Sequence, residues 1–382
     1  MGISISCRQG IDVVSVCCRT STIKSSSTQT QNSTNQDVTN SSLDKIPVGI
    51  MAEKTKPEDV PESETKSKFL KRLPKKSDGY LIPQRPPDIQ SKDGFMNIHE
   101  LYNAMNVGYS QPYIHDPYYM LILDTRSVKS YSNSHILTAR KHTAIDTDFE
   151  CHIDLGKLLQ YTMVILYGEV GTSDDDDDVT QGLLSRIGAM CDVYILVEGF
   201  SKFKSTYPAL CSSDIITSKE SRKKISTYPS VVLAGCLFQG NKDHAENKTI
   251  LKDVGITHIV NVTSEMKNLF QDDFVYLRIA VEDELSSNLR PRLSQAADFI
   301  ADALRNGGRV MVHCIQGVSR SSTITLSFMM KYLGWPLKDA RDYLKICRPI
   351  INPNRTFLLQ LSHFEETCFG EKISDPDDVW MS

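Results

Sequence analysis

The fold of the carboxyl-terminal part of this 382-residue chain follows from one stretch, Arg309-Val-Met-Val-His-Cys-Ile-Gln-Gly-Val-Ser-Arg-Ser-Ser-Thr-Ile-Thr-Leu-Ser-Phe-Met-Met330. A short apolar run, Val310 to Val312, predicts a buried strand, and the apolar spacing after Arg320 predicts a buried helix. The loop between them contains a glycine and separates Cys314 from Arg320 by five residues. Such a loop can curl until its backbone N–H groups converge just before the helix N-terminus, which makes a nest for an anion.

The residue types in this loop are those that phosphoryl transfer requires. Arg320 offers a planar fork for two oxygens of a phosphoryl group. The converging N–H groups, the helix dipole and Arg320 favour the thiolate of Cys314, which is the nucleophilic form. Ser321 can donate to the sulfur when it leaves in a second step. A lone cysteine near a strand end is more often a small buried apolar residue, but the complete pattern, His-Cys-x5-Arg-Ser, resembles the signature of the cysteine-dependent protein tyrosine phosphatases.

The resemblance implies a phosphate-binding loop around the nucleophile. Its other members are His313, Ile315, Gln316, Gly317, Val318 and Ser319. We expect His313 to be buried and to steady the loop by hydrogen bonding rather than to transfer protons. This chemistry needs no metal and no cofactor, and we expect none.

Cleavage of a phosphate ester by a thiolate also needs an acid that protonates the departing oxygen. In dual-specificity phosphatases this acid is an aspartate on a loop upstream of the cysteine. Asp283 follows a predicted strand at the corresponding spacing, and Glu282 is the alternative. The competing interpretation is that these residues and Glu284 simply form an acidic surface loop. We expect Asp283 to be the acid.

Composition bounds the class of protein. The ten cysteines show no Cys-x2-Cys pair and no secretory signal is visible, which favours a reduced intracellular setting. The net charge of −4 gives no reason to expect binding to nucleic acid. No apolar run approaches the roughly 20 residues needed to span a bilayer. We therefore expect a cytoplasmic protein.

Residues 1–90 are predicted to be a disordered tail. Thr20 to Ser42 consists mostly of Ser, Thr, Gln and Asn, and Glu53 to Lys76 mostly of charged residues with Pro. Neither stretch can bury enough apolar area to offset the entropy of ordering. The basic residues from Lys66 to Lys76, followed by Tyr80 to Ile82, resemble a linear docking motif for MAP kinases, although such a charge run is more often a solvated linker.

The extreme N-terminus carries a targeting pattern. Its first six residues fit the motif for N-myristoylation at Gly2, and Cys7 lies near enough to be palmitoylated. One acyl chain binds membranes marginally, whereas two anchor firmly. A mitochondrial presequence is the rival interpretation, because Arg8, Arg19 and Lys24 are offset by one acid amid many serines. An unmodified tail is the simplest interpretation, since so short a pattern has many chance matches. Of the two modifications, acylation with attachment to membranes is favoured, and a mitochondrial location is the alternative.

Residues 94–212 are predicted to form an α/β domain. Apolar runs within Tyr119–Arg126, Met163–Tyr167 and Val193–Val197 are separated by segments long enough for helices, which favours a parallel sheet. Close like charges repel and stay solvated, so the acidic run Asp174–Asp178 is predicted to be a loop rather than a metal site.

This region resembles a rhodanese-like domain. The motifs that carry the resemblance are Asp124-x-Arg126, Tyr131, Ser134-His135-Ile136 and Ala139. A working rhodanese carries its sulfur on a cysteine in the loop after a central strand. Here that loop reads Gly168-Glu-Val-Gly171 and contains no thiol. The domain is therefore predicted to be catalytically silent, as in the MAP kinase phosphatases.

Residues 226–370 are predicted to form a second α/β domain after a basic linker at Ser218–Ser226. Its strands and a long helix are predicted at Val231–Gly235, Ile259–Val262, Phe274–Leu277 and Leu293–Leu304. The segment Asn352-Pro-Asn-Arg355 matches the Pro-Asn segment that opens the last helix of dual-specificity phosphatases, and we expect it to be structural.

Together, residues 94–370 resemble the architecture of the MAP kinase phosphatases: a rhodanese-like α/β domain followed by a dual-specificity phosphatase α/β domain. The resemblance implies hydrolysis of phosphotyrosine and phosphoserine or phosphothreonine, with phosphoproteins, MAP kinases among them, as partners. Local motifs also resemble a branch of pseudophosphatases that bind partners without turnover. Gln316, where active relatives commonly carry alanine, points to that branch, whereas the intact Cys314 and Asp283 favour the enzyme.

Overall fold

The computed structural model describes residues 94–108, 111–145, 158–170, 174–375 and 379. The predictions for Gly2, Cys7 and the basic run Lys66–Lys76 concern residues outside these ranges. Within the ranges, no helix is long and apolar enough to cross a membrane, and no group of three or more His, Cys, Asp or Glu side chains is arranged to hold a metal ion.

The first half of the described chain is an α/β unit. Its strands are Phe95–Met96 (β1), Met120–Asp124 (β2), His135–Ile136 (β3), Arg140–Lys141 (β4), Met163–Tyr167 (β5), Val193–Leu196 (β6) and Cys211–Ser212 (β7). Its helices are Ile98–Asn106 (α1), Val128–Asn133 (α2), Asp174–Ile187 (α3), Gly199–Thr206 (α4) and Lys219–Arg222 (α5), with 3-10 turns at Tyr113–His115, His142–Ile145 and Pro208–Leu210. The main sheet has the order β1-β6-β5-β2-β4, and its neighbouring strands are parallel. β3 and β7 form a separate antiparallel pair.

The central strands of this sheet are apolar because both faces are covered. Every residue of β2 is buried, and so is every residue of β5 except Met163. A parallel sheet covered by helices on both faces produces such continuous apolar runs. Helix α1 begins with a capping box, in which Asn97 accepts from the backbone N–H of Glu100 and the Glu100 side chain accepts from the backbone N–H of Asn97.

Two charged segments of this half differ from the structures predicted for them. The prediction of a solvated loop at Asp174–Asp178 is wrong, because this run begins helix α3. Acidic residues are favoured in the first turn of a helix, where the helix dipole is positive. The basic linker Ser218–Ser226 contains α5, and the buried Arg222 within it donates to the carbonyl of Ile114 at 3.3 Å. The linker is therefore packed against the first half.

The second half is also an α/β unit. Its strands are Ser230–Leu233 (β8), Leu237–Gly240 (β9), His258–Asn261 (β10), Val275–Arg278 (β11) and Val310–His313 (β12). Its helices are Lys242–Glu246 (α6), Lys248–Asp253 (α7), Arg290–Arg305 (α8), Arg320–Phe328 (α9), Leu337–Cys347 (α10) and Arg355–Phe369 (α11), and a π-helical turn at Met329–Leu333 continues α9. The sheet order is β11-β10-β12-β9-β8, with β8 antiparallel to β9 and the other pairs parallel. Two largely parallel sheets with helices confirm the predicted α/β class.

β12 lies in the middle of the second sheet, between β10 and β9. All its residues are buried, and so are all the residues of α9. The strand and the helix predicted on either side of Cys314 are thus both present. The loop that joins them stands on a rigid, fully packed base.

One apolar core is shared by the two halves. Tyr102 and Tyr207 of the first half belong to the same buried cluster as Tyr228 and Phe238 of the second. The rings of Tyr102 and Tyr207 stack with their centroids 4.1 Å apart. A cavity of about 310 Å³ lies at this junction, and its walls come from both halves. The halves therefore pack as one body along α1 and β8.

Candidate active site

The loop between β12 and α9 positions the predicted phosphate-binding residues, and we call residues 313–320 the phosphate-binding loop. Cys314 follows the last residue of β12, and Arg320 is the first residue of α9. Gly317 has a φ of +70°, a conformation that glycine adopts without strain. A Cβ at this position would lie 2.4 Å from the carbonyl oxygen of Gly240. Glycine is thus required here for both backbone conformation and space.

The Cys314 sulfur sits inside the loop, where its side chain is almost fully buried. The backbone N–H of Gly317 donates to Sγ at 3.2 Å. The hydroxyl of Ser321 lies 3.4 Å from the same sulfur. An N–H donor and the N-terminus of α9 both stabilise negative charge at this point. The geometry suits a sulfur that acts as a nucleophile and then as a leaving group.

Donors outside the loop bind its carbonyl groups and fix its shape. Four consecutive carbonyls accept hydrogen bonds: that of Ile315 from Lys242 N at 3.0 Å, that of Gln316 from Arg348 Nη2 at 3.3 Å, that of Gly317 from Arg348 Nε at 2.8 Å, and that of Val318 from Asn352 N at 2.9 Å. In a trans peptide unit the carbonyl and the following N–H point in opposite directions. Carbonyls drawn outwards therefore turn the N–H groups inwards, which is how an anion nest forms. The side chain of Gln316 is exposed and takes no part in this arrangement.

Arg320 is buried, and one edge of its guanidinium is already occupied. Nη1 donates to both carboxylate oxygens of Glu265, at 3.1 and 3.0 Å, and to the carbonyl of Val281 at 3.0 Å. Nε is buried and makes no hydrogen bond. A buried N–H without an acceptor is costly. A phosphoryl oxygen in the loop would supply the missing acceptor.

Glu265 lies in the loop after β10 and did not stand out in the sequence. Partial burial would raise the pKa of Glu265, but hydrogen bonds from its own backbone N–H and from Arg320 outweigh this effect and hold the pKa below its usual value. Glu265 therefore stays ionised beside Arg320. No local pattern announces this role, because the partner follows more than fifty residues later in the chain.

Asp283 lies directly beside the phosphate-binding loop. Its Oδ1 accepts from the hydroxyl of Ser319 at 2.7 Å and from Nδ2 of Asn354 at 3.0 Å. Its Oδ2 lies 3.6 Å from Nε of Arg320, an ion pair that is too long for a hydrogen bond. Glu282, the alternative acid, is exposed as Asp283 is, but it makes no hydrogen bond or ion pair with the loop. The structure thus brings Asp283 to the loop that carries Cys314.

Asn354 caps a helix and also contacts the candidate acid, and the sequence predicted only a structural role. It caps helix α11, since its side chain accepts from the backbone N–H of Phe357 at 2.9 Å. Its Nδ2 also binds Asp283, and its backbone N–H donates to Ser319 Oγ at 3.2 Å. The Pro-Asn segment was expected to be structural, and it also orients the candidate acid.

Two buried basic side chains belong to the loop and its underside. Burial lowers the pKa of His313 to about 4, although the adjacent Cys314 backbone acts in the opposite direction. Nδ1 of His313 is buried and makes no hydrogen bond, so the structure does not show the hydrogen bond to the loop that was expected. His313 is therefore neutral near pH 7. Burial also lowers the pKa of Arg348 to about 10, with Cys314 acting against it. Arg348 stays charged and holds the carbonyls described above, a role that sequence reasoning missed.

The loop after β5, where a rhodanese carries its cysteine, is occupied by a carboxylate. Glu169 Oε1 lies 3.4 Å from Nη1 of Arg126, and its Oε2 accepts from the backbone N–H of Ser201 at 3.2 Å. Arg126 is further held by Asp124 at 2.6 Å and lies over the ring of Phe200. These contacts form a closed ionic cluster in place of a thiol.

Comparison with known proteins identifies the family of the second half and finds relatives of most of the described chain. A family model described as the dual specificity phosphatase catalytic domain matches residues 237–367. Dual specificity protein phosphatase 1 of Mus musculus is 30% identical over an alignment of 294 residues that covers 66% of this chain and 80% of that protein. A probable rhodanese domain-containing dual specificity protein phosphatase of Dictyostelium discoideum is 32% identical over 176 residues, covering 46% of this chain and 37% of its own length. The crystal structure of the human tyrosine phosphatase-like serine/threonine/tyrosine-interacting protein has 32% identity and a TM-score of 0.35, and the match covers 36% of this chain and 95% of that one.

Proposed function

Because this chain belongs to the dual specificity protein phosphatase family, we propose that it hydrolyses phosphotyrosine and phosphoserine or phosphothreonine through a cysteinyl-phosphate at Cys314. One observation carries the proposal: the sulfur of Cys314, the Nε of Arg320, which makes no hydrogen bond, and the carboxylate of Asp283 lie together at a single loop. We assign the catalytic unit to residues 226–370 and a silent rhodanese-like unit to residues 94–212.

The first step transfers the phosphoryl group to sulfur. The substrate's phosphoryl oxygens accept from the loop N–H groups and from Nε of Arg320, which neutralises their charge. The Cys314 thiolate attacks phosphorus, a sulfur–phosphorus bond forms, and the bond to the ester oxygen breaks. Asp283 in its acid form donates its proton to that oxygen, so the product leaves as an alcohol or phenol.

The second step returns the enzyme to its starting state. The Asp283 carboxylate accepts a proton from water while the water oxygen attacks phosphorus. The sulfur–phosphorus bond breaks, and the sulfur leaves as a thiolate that accepts a hydrogen bond from Ser321 at the 3.4 Å contact. The balance is one ester and one water consumed, with one alcohol and one inorganic phosphate released.

Phosphorylated MAP kinases are the substrates that we propose, with phosphoproteins in general as the wider class. The support is the order of the two domains, which resembles that of the MAP kinase phosphatases. The protein should release phosphate faster from an intact doubly phosphorylated MAP kinase than from a peptide with the same phosphorylated sequence. Equal rates on both would contradict a kinase-specific role.

The test of the reaction uses the full chain and its Cys314→Ser variant. Phosphate release is followed from a peptide that carries phosphothreonine and phosphotyrosine. The wild type should release phosphate from both residues, and Cys314→Ser should release none while it still binds the peptide. If the wild type is no faster than Cys314→Ser and both bind, the protein is a phosphoprotein-binding scaffold instead.

A further inference from the structure

Helix α1 of the rhodanese-like half covers the open edge of the phosphatase sheet. β8 is the last strand of that sheet. Nδ2 of the buried Asn103 donates to the carbonyl of Val231 at 2.8 Å, and the N–H of Val231 donates to Asn103 Oδ1 at 2.8 Å. The side-chain amide thus pairs with β8 as a neighbouring strand would, and it satisfies an edge that would otherwise be unpaired.

Two further side chains of α1 hold the chain just before β8. The hydroxyl of Tyr102 donates to the carbonyl of Pro229 at 3.1 Å. The N–H of Tyr228 donates to Asn106 Oδ1 at 2.9 Å. All three groups on α1 are buried, so losing any of these bonds leaves an unpaired polar group in the core. The backbone from residue 228 to residue 231 is therefore fixed by one face of α1.

Ser230 lies within this fixed segment and connects it to the phosphate-binding loop. Its fully buried hydroxyl accepts from Arg348 Nη1 at 3.0 Å. The other two nitrogens of Arg348 hold the carbonyls of Gln316 and Gly317. The N–H of Gly317 is the group that donates to the Cys314 sulfur. Two side chains thus separate α1 from the nest.

Arg348 has few other anchors. Among the described residues, no carboxylate forms an ion pair with it. A buried guanidinium depends on hydrogen-bond acceptors to stay in place. Displacing Ser230 would remove one of three acceptors and let the guanidinium tilt, and the two loop carbonyls would move with it.

We propose that Asn103 is a positioning residue for the phosphate-binding loop, acting through β8, Ser230 and Arg348. The proposal rests on the proposed function, because it describes how the rhodanese-like half regulates the same site. Any event that shifts α1 against β8 then changes the affinity of the loop for oxyanions. The rhodanese-like half is part of the architecture that keeps the loop competent.

Tungstate binding to the full chain tests this proposal without requiring turnover. Calorimetry is run on the wild type, Asn103→Leu, Ser230→Ala and the double variant, each well below its own melting temperature. Leucine has nearly the shape of asparagine but removes both hydrogen bonds to Val231. The matched control is Tyr207→Phe, which removes a 2.5 Å hydrogen bond to His99 of α1 but none of the hydrogen bonds that α1 makes to residues 228–231.

We expect Asn103→Leu and Ser230→Ala each to weaken tungstate binding by about 2- to 30-fold, the usual range of coupling between distant sites. The double variant should have the same tungstate affinity as the single variant that binds tungstate more weakly. Both substitutions interrupt the same series of contacts from Asn103 through Ser230 to Arg348. Tyr207→Phe should bind as the wild type does. The kcat/KM for the phosphopeptide should fall in parallel.

Three results would overturn the proposal. One is a lower melting temperature of Asn103→Leu with wild-type tungstate affinity, which means that the contact only stabilises the fold. Another is additive losses in the double variant, which means that the two residues act independently. The third applies if Asn103→Leu does not fold. In that case Tyr102→Phe, which removes only the hydrogen bond to the carbonyl of Pro229, replaces it, and wild-type tungstate affinity in Tyr102→Phe would overturn the proposal. A wild type that binds tungstate but releases no phosphate defeats the proposed function and leaves this measurement intact.

Discussion

Nη1 of Arg320 donates to both carboxylate oxygens of Glu265, at 3.0 and 3.1 Å. The Arg320 side chain is 5% exposed and the Glu265 side chain 49% exposed. The pair thus has a buried cation and a half-solvated anion. It determines which edge of the guanidinium is left for a phosphoryl group, since Nε has no hydrogen-bond partner.

We expect Glu265→Gln to lower kcat/KM for an aryl phosphate by roughly 1.5- to 5-fold. A partly solvated ion pair is worth about 0.2–1 kcal/mol, and Arg320 loses orientation when the charge is removed. The tungstate affinity should fall by a similar factor. Glu366→Gln, an exposed substitution on α11, is the control. Unchanged kinetics in Glu265→Gln would show that the loop alone orients Arg320.

Asp283→Ala should slow hydrolysis in a way that depends on the leaving group. General acid help contributes typically about 10²- to 10⁴-fold. An alkyl ester such as phosphoserine needs the proton, whereas an activated aryl ester leaves almost unaided. We therefore expect a large loss on phosphoserine peptide and a much smaller one on the aryl phosphate, with binding preserved.

Glu282→Ala is the matched control for the acid, because Glu282 is the neighbouring carboxylate and, unlike Asp283, makes no hydrogen bond or ion pair with the loop. It should retain wild-type rates on both substrates. Equal losses on the two substrates in Asp283→Ala would rule out proton donation. Loss in Glu282→Ala instead would move the role to that residue.

The rhodanese-like half should transfer no sulfur. Glu169 fills the loop after β5 with a carboxylate that is paired to Arg126 and bound to the N–H of Ser201. Thiocyanate formation from thiosulfate and cyanide is measured on the full-length Cys314→Ser variant, so that the candidate nucleophile cannot contribute. Product above that of a heat-inactivated sample would contradict the prediction.

Acylation of Gly2, with Cys7 as a second site, should hold the protein at membranes. Two acyl chains anchor stably, whereas one does so marginally. Gly2→Ala should therefore shift the protein from the membrane to the soluble fraction in cells, and Cys7→Ser should shift it in part. A mature N-terminus tens of residues downstream of Met1 would support mitochondrial import instead.

The sequence by itself predicted the strand-loop-helix unit that carries the candidate phosphate-binding loop. Cys314, Gly317 and Arg320 lie within one strand-loop-helix unit, and spacing along the chain predicts geometry when the partners are joined by a few residues. The absence of a thiol after β5 is predicted from sequence for the same reason, because the residues concerned lie in one short loop. Asp283 was also predicted, but through the resemblance to dual-specificity phosphatases rather than through any local pattern.

Only the tertiary structure decided the contacts that hold this loop in working shape. Glu265 and Arg348 reach it from loops distant in sequence, and Asn103 of the other half binds Val231, next to the Ser230 that contacts Arg348. The acidic run at Asp174–Asp178 is a second case, since its charges predicted a loop and it begins a helix. Hydrogen bonds and ion pairs depend on distance, direction and burial. Those quantities exist only after the chain has packed, so no local pattern of residue types contains them.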